Sequence, residues 1–520
     1  MKPPAHFLYA LKEQSVKFFA GLAQAMVIFA LLGILILVVG KGLEFFWPKS
    51  IQLVNYESNT AASQQLFGYV SSERLQTGHE GRIWLNQDSW QRPRNQTQVL
   101  LNPKFISSIE EPENLARIDL NDGRFLLAQP IFLNIIGEHL QLEQLPQALN
   151  IVTDLQEQYA NINEGDMVSI NTAIASLRAK GVSEDSAAMQ TLLERYQSNR
   201  KELSEIEKVL AQYNIVVMDA ASEMQTLPLQ EVRQVFYPNG MGFFRKLGVM
   251  SSNLLLFLTE DTRDANQSGG VFPAIFGTVL MVLLMAVIVS PLGIMAAIYL
   301  TEYAPNNAVV SLIRLAVSNL AAVPSVVYGV FGLGFFVYQM GGSIDELFYA
   351  DTLPNPTFGT PGLLWASLTM ALLTLPVVIV ATEEGLRRVP ESLRYSSYAL
   401  GATRYETIRR IVLPVASSSL LTGIILAVAR AAGEVAPMLM VGAVRYAPVL
   451  PLDGEFPYLH LERQFMHLGV LIYDGAFHGQ STQQGAGMMF ATCLLLLLVV
   501  LILNFIAIMV RNRLQTRYGY

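Results

Sequence analysis

Arg430 and Glu434 stand four residues apart in AVARAAGEVAP (427–437), inside a stretch from Val415 to Val444 that is otherwise apolar or small. On insertion scales a charge at the centre of a membrane helix costs about 2.5–3.5 kcal/mol, so each of the two needs a partner or a task. At this spacing they lie on one helix face and can pair while no ligand is present. An oxyanion entering a water-filled gap would offer the planar guanidinium of Arg430 more acceptor oxygens than the carboxylate does, and so could compete for it. Gly433 and Pro437 permit close approach and a local break, and irregular backbone at membrane depth is tolerated where it lines a cavity.

The second informative stretch is EEGLRRVPESLRYSSYALGATRYETIRRIVLP (383–414), with six arginines and four glutamates. That balance suits a protein partner better than an anionic lipid surface. Within it, Gly401 can supply a turn that a Cβ would hinder, and Pro414 is expected to end or kink the helix that follows. The result is a helix, a turn and a second helix, presented as a rigid knob.

Other candidates carry less chemistry. His460, His467 and His478 accompany Glu462 and Asp474, but their spacings do not make a one-face metal site, and they are expected to be solvated loop histidines. Cys493 is the only cysteine and lies in an apolar run, which excludes an intrachain disulfide and a cysteine metal site. Pro291, Pro324 and Pro376 are expected to shape spans rather than bind anything. The chain contains no G-x-x-x-x-G-K-[ST], so it has no P-loop with which to hydrolyse ATP.

The elements that must hold these residues are membrane helices. Of the 520 residues 52% are hydrophobic and only 15% charged. Uncharged runs long enough to cross about 30 Å of hydrocarbon occur at 18–40, 273–297, 315–337, 363–382 and 488–510, and 420–441 makes a sixth, interrupted only by Arg430 and Glu434. The first run follows Lys2, Lys12 and Lys17 and lacks a clear cleavage site behind it, so it reads as a retained anchor. With the N-terminus inside, the inner side collects most of the Lys and Arg near the spans, while the outer loops 338–362 and 442–487 hold only Arg445 and Arg463. Both termini are therefore expected in the cytoplasm.

Residues 41–270 form a long polar insert with nineteen Lys and Arg against twenty-eight Asp and Glu, a balance that disfavours nucleic acid. Short strands are expected at 82–86 and 123–132, and a helix from Ser183 to about Asn214. Met189, Leu192, Tyr196, Asn199, Leu203, Ile206, Leu210 and Tyr213 follow a 3-4 spacing that suits either a helix pair or packing on the insert's own core. The apolar 240–258 segment with its basic pair suits either the membrane surface or the inside of the insert.

The register of the loop resembles the cytoplasmic loop of binding-protein-dependent ABC importer permeases: Glu-Ala-Ala, three residues, Gly, nine residues, then Ile-x-Leu-Pro. Gly401, Ile411, Leu413 and Pro414 match, while Tyr395, Ser396 and Ser397 replace the triplet and lose its carboxylate. GGVFPAIFGTVLMVLLMAVIVSPLGIMAAIYLTEYAP (269–305), NLAAVPSVVYGVFGLGFFV (319–337) and ARAAGEVAPMLMVG (429–442) are similar to the phosphate-specific branch of that family, the last in its PstA-type form.

The resemblance covers 269–510 and not the insert. It implies an α-helical polytopic protein with six transmembrane helices of the type I ABC importer permease fold, to which the strands and helix read in the insert add a mixed α/β extracytoplasmic domain between helices 1 and 2. The expected division is 1–40 for the N-terminus and first span, 41–270 for a periplasmic domain, 271–510 for a five-helix core and 511–520 for a cytoplasmic tail. Phosphate transport across a bacterial inner membrane by alternating access is implied, with Arg430 and Glu434 on the translocation path and the loop around Gly401 docked on an ATPase. The implied partners are a PstC-like permease, two PstB-like ATPase subunits that carry the ATP and magnesium, and a PstS-like periplasmic phosphate-binding protein. The chain is then not itself an enzyme and needs no cofactor of its own. A PstC-like half, another anion, or a membrane-anchored sensor or scaffold are the alternatives.

Overall fold

The computed structural model describes residues 5–57, 64–71, 83–87, 98–180, 186–263, 268–454, 456–477 and 483–518. The chain divides into two compact units, one made of Met1–Phe46 with Leu254–Tyr520 and the other of Trp47–Asn253. The domain boundary expected at residue 41 lies further on because α1 (Ala5–Phe46) continues through Lys41 and Glu44, which pair at 3.1 Å one turn apart.

Among its described residues the 47–253 unit holds two sheets, three complete α-helices and the first part of a fourth. Strands β1 (Gln52–Tyr56), β2 (Gln64–Ser71), β3 (Ile83–Asn86), β4 (Gln98–Leu101) and β5 (Ile106–Glu110) form an antiparallel sheet in the order β4-β3-β2-β1-β5. The second sheet runs β10-β9-β7-β6-β11, from β6 (Ala116–Leu120), β7 (Phe125–Ile135), β9 (Tyr213–Met218), β10 (Met224–Pro228) and β11 (Val232–Phe236), and β8 (Glu138–Leu140) extends β7 as a hairpin. Alternation in β6 buries Ala116, Ile118 and Leu120 on one face, as a half-covered strand should.

Helices α2 (Leu145–Ala160), α3 (Met167–Ala179) and α4 (Ala187–Leu210) complete this unit, and Leu145, Ala148, Val152, Ile206 and Leu210 pack on the second sheet. The 189–213 stripe thus packs on its own unit: Met189, Leu192 and Tyr196 meet Ile170 and Ile174, and Ile206 and Leu210 join the sheet core. The expected helix start at Ser183 lies outside the described residues. Ser186 caps α4 instead, accepting from the Met189 N–H, and Tyr213 already belongs to β9 rather than to the helix.

After α5 (Phe243–Thr259), which exposes Phe243, Phe244, Leu247 and Leu255 and buries Phe257, the helical core begins. It comprises α6 (Phe272–Ile298), α7 (Ala308–Leu320), α8 (Ser325–Phe331), α9 (Gly342–Phe348), α10 (Leu363–Arg387), α11 (Glu391–Ala399), α12 (Arg404–Thr407), α13 (Leu413–Gly433), α14 (Ala436–Val441), α15 (Leu468–Phe477) and α16 (Gln483–Tyr518). Among the described residues six helical stretches are long and apolar enough to cross a membrane: Val16–Phe46, Phe272–Tyr303, Ser325–Phe348, Leu363–Arg387, Arg404–Gly433 and Ala486–Arg513.

Two spans differ from their sequence expectation. The third begins at Ser325 rather than near Leu315, because Pro324 does not bend a continuous helix but precedes α8, separating it from the short α7. The fifth ends at Gly433 rather than running to Val441. Pro291 and Pro376, in contrast, lie inside unbroken α6 and α10.

Since lipid tails are as apolar as leucine, packing between spans relies on small residues that let backbones approach. A Cβ on Gly293 of α6 would lie 2.6 Å from Val378 Cγ1 of α10, and one on Gly423 of α13 would lie 2.8 Å from the Ala381 Cβ of α10. Ser367, Thr369 and Thr374 are fully buried in α10, and each donates its hydroxyl to the carbonyl four residues back at 2.7–2.8 Å.

Candidate functional site

The fifth span breaks at the charged pair. α13 ends at Gly433, Glu434 takes extended geometry at φ −83° and ψ 130°, and α14 restarts with Pro437 in its first turn, where a missing N–H costs nothing. Arg430 and Glu434 therefore do not share a continuous helix face as their spacing predicts. They meet across the break, with Nε 3.5 Å from Oε1 and side chains 37% and 24% exposed. At that distance the guanidinium is electrostatically compensated but keeps donors available to a third group.

Gly433 does not serve close approach, since a Cβ there would meet nothing within 4 Å. That role falls to Gly329 of α8, where a Cβ would lie 2.9 Å from the Pro437 Cα. Next to it the buried Tyr328 shares one core cluster with Ala427, Ala431 and Met438, and its hydroxyl donates to the Leu320 carbonyl at 2.7 Å, closing the C-terminal end of α7. The break thus sits against α8.

The 383–414 loop has the helix–turn–helix form its sequence suggests. Gly401 adopts φ +83°, a left-handed conformation that disfavours a Cβ. Its N–H donates to Tyr398 O at 2.9 Å and the Ala402 N–H donates to Ser397 O at 3.2 Å, a paired C-terminal cap for α11. Thr403 then starts α12 with a capping box, exchanging bonds with Glu406. Leu400 at the tip is 89% exposed, flanked by exposed Tyr395, Ser396 and Tyr405.

Of the triplet positions only Ser397 is buried, its Oγ 2.8 Å from Thr407 Oγ1. Ile411, Leu413 and Pro414 are partly buried and Ile408 is buried, whereas Val412 joins Leu386, Val389, Ala297 and Leu300 in the core beneath the loop. Pro414 does not end the helix: the preceding turn, Ile408–Val412, is a π turn, and its wider closure accommodates the missing N–H while the helix continues into α13.

Ion pairs fasten this end of the bundle. Arg394 of α11 meets Glu302 at 2.8 Å, Arg314 of α7 meets Glu383 at 2.8 Å, and Arg387 meets the same carboxylate at 2.9 Å. Glu302 and Arg394 were not separable from other charges by spacing, because they lie 92 positions apart.

At the opposite end of α10 the two described histidines are not solvated. His460 is buried, with Nδ1 3.0 Å from Glu462 Oε1 and Nε2 3.0 Å from Asp453 Oδ1, while Arg463 also pairs with Asp453. Burial alone would lower the His460 pKa, but the hydrogen bonds to Glu462 and Asp453 outweigh it and hold the imidazole above its usual range. His467 is fully buried, which lowers its pKa to about 4. His478 lies outside the described residues, and Asp474 pairs with Arg445 at 3.3 Å. Among the described residues no group of three or more His, Cys, Asp or Glu is arranged to hold a metal ion.

The histidine clamp shapes a loop that caps α10. Gly362, Leu363 and Leu364 donate their N–H groups to the carbonyls of Val441, Arg463 and Leu461 at 2.9 Å each, which supplies partners to the otherwise open helix start. Ala443–Val444 and Phe465–Met466 pair in parallel alongside.

Residues 289–516 match the model of the family described as binding-protein-dependent transport system inner membrane component. The phosphate transport system permease protein PstA of Yersinia pestis is 36% identical over 262 residues, covering 50% of this chain and 78% of that protein. The probable ABC transporter permease protein YqgH of Bacillus subtilis (strain 168) is 35% identical over 215 residues, covering 41% of this chain and 66% of its own length. Among solved structures, an inward-facing form of the MetNI methionine ABC transporter aligns with 47% of this chain and 95% of its own at 19% identity and a TM-score of 0.35. With its six spans and its loop register, the chain belongs to the family of binding-protein-dependent transport system inner membrane components, the membrane-spanning permeases of ABC importers.

Proposed function

We propose that the chain is the PstA-type half of an ATP-driven phosphate importer in a bacterial inner membrane, working by alternating access. The observation that carries this reading is the Arg430–Glu434 pair, partly exposed at a break in the fifth span and held at 3.5 Å. Phosphate presents several oxygens to a guanidinium fork and competes for it with a single carboxylate. The name of the Yersinia pestis relative supports phosphate as the anion. The pair is electrically neutral, so a second permease subunit of PstC type supplies further positive charge.

In this reading both termini are cytoplasmic and the 47–253 unit is periplasmic. The 383–414 loop seats its tip, with Leu400, Tyr395 and Tyr405, on one of two PstB-like ATPase subunits that hold the ATP and magnesium. A PstS-like protein delivers phosphate from outside. Gly433 and Pro437 bound the unwound segment that lets Glu434 release Arg430.

Radiolabelled phosphate uptake tests this in cells lacking their own importer, supplied with the neighbouring transporter subunits and either this chain or Arg430→Gln, with membrane level and ATPase co-purification followed in parallel. Uptake that requires the chain and fails in an assembled Arg430→Gln complex is the expected result. An assembled intact complex that takes up no phosphate overturns the reading.

A further inference from the structure

At the loop end of the bundle the guanidinium of Arg394 reaches two backbone carbonyls and one carboxylate. Its Nη1 donates to Val389 O at 2.7 Å, and its Nη2 faces both Leu386 O and Glu302 Oε1 at 2.8 Å. The side chains of Arg394 and Glu302 are only 15% and 10% exposed. One planar group therefore joins three pieces of chain: α11 of the loop, the chain at the C-terminal end of α10, and the Tyr299–Tyr303 turn that ends the second span.

A buried pair of this kind is weak evidence for stability, since desolvating two charges offsets much of their attraction. Its geometry, however, is specific. A lysine could not reproduce the fork, because an ammonium is a point charge on a flexible stem.

We propose that Arg394 is a positioning residue that makes the loop, the second span and the end of the fourth move as one body when the ATPase subunits close. The Arg314–Glu383 pair and the bond from Arg314 Nη2 to Leu300 O at 2.5 Å extend the same body to α7. The inference rests on the importer reading for its transport readout, but not for its mechanical one.

The test uses the full complex reconstituted in proteoliposomes, with Glu302→Gln, which removes the ion pair and leaves both carbonyl bonds, and with Arg394→Lys. Each variant is expected to assemble, to hydrolyse ATP and to move roughly threefold less phosphate per ATP, with no further loss in the double variant because both act through one link. Phosphate per ATP unchanged in Glu302→Gln, or transport and hydrolysis falling in proportion, would overturn the proposal. A wild-type complex that moves no phosphate condemns the importer reading instead. The link is then judged by the distance between spin labels at the exposed Leu400 and Tyr303. That distance should stay constant with and without ATP in the wild type and change in Glu302→Gln, whereas a change in the wild type would sink the proposal.

Discussion

Across the turn at Gly401, the hydroxyl oxygens of Ser397 and Thr407 lie 2.8 Å apart with both side chains buried. The two helices of the loop are locked together there rather than by the residues at its exposed tip. Ser397→Ala should strand the Thr407 hydroxyl and cost about 1–3 kcal/mol, whereas Ser397→Ala with Thr407→Val should cost less than the two single changes together. Thermal melting of the detergent-solubilised protein measures this. Additive losses would show that the hydroxyls do not pair.

Gly401 carries φ +83° with open space around the position of a Cβ, so the cost of a side chain there is conformational rather than a clash. Gly401→Ala should destabilise the loop by roughly 1–2 kcal/mol and Gly401→Asn by less, since asparagine tolerates the left-handed region. Co-purification of the ATPase subunits should follow the same order.

Gly329 and Gly433 should respond in opposite ways to the same change. Alanine at 329 meets the Pro437 backbone at 2.9 Å and must move α8 away from the break, whereas alanine at 433 meets nothing within 4 Å. Gly329→Ala is expected to lower uptake several-fold at normal membrane levels. Gly433→Ala should leave packing intact, and equal loss of stability in both would contradict the placement of α8.

The histidines of the last outer loop pull in opposite directions with pH. His460, held above its usual range by Asp453 and Glu462, contributes stability that is fully present below about pH 6.5 and is lost as pH rises through its raised folded value. His467, lowered to about 4 by burial, contributes stability present above about pH 6.5 that is lost as pH falls toward 4. The melting difference between wild type and His460→Gln should therefore shrink as pH climbs above neutrality. A constant difference would mean that folding does not raise the pKa of His460.

The parts of this protein legible in its sequence are those with local causes. A run of about twenty apolar residues specifies a span wherever it occurs, and Gly401 specifies its turn through its own backbone. The third span was displaced because the apolar α7 and α8 read as one segment until Pro324 separates them. Ser183 and Ser186 are both acceptable caps, and only the fold selects Ser186. His460 read as a loop residue because Asp453 and Glu462 surround it only after the 442–467 chain folds back over the start of α10, and Glu302 gave no sign of the arginine that meets it from 92 residues away.

Among the described residues, π-helical geometry ends the second span at Tyr299–Tyr303, runs through the middle of the third at Gly332–Gly341 and lies near the start of the fifth at Ile408–Val412. Each wide turn takes up extra chain, and one residue at 3.6 per turn is about 100° of helical phase. The face the third span presents before Gly332 is therefore out of phase with the face it presents after Gly341. An apolar stripe extrapolated along the whole span points to the wrong side beyond the turn, and a single-residue deletion there would swing every contact past it around the axis.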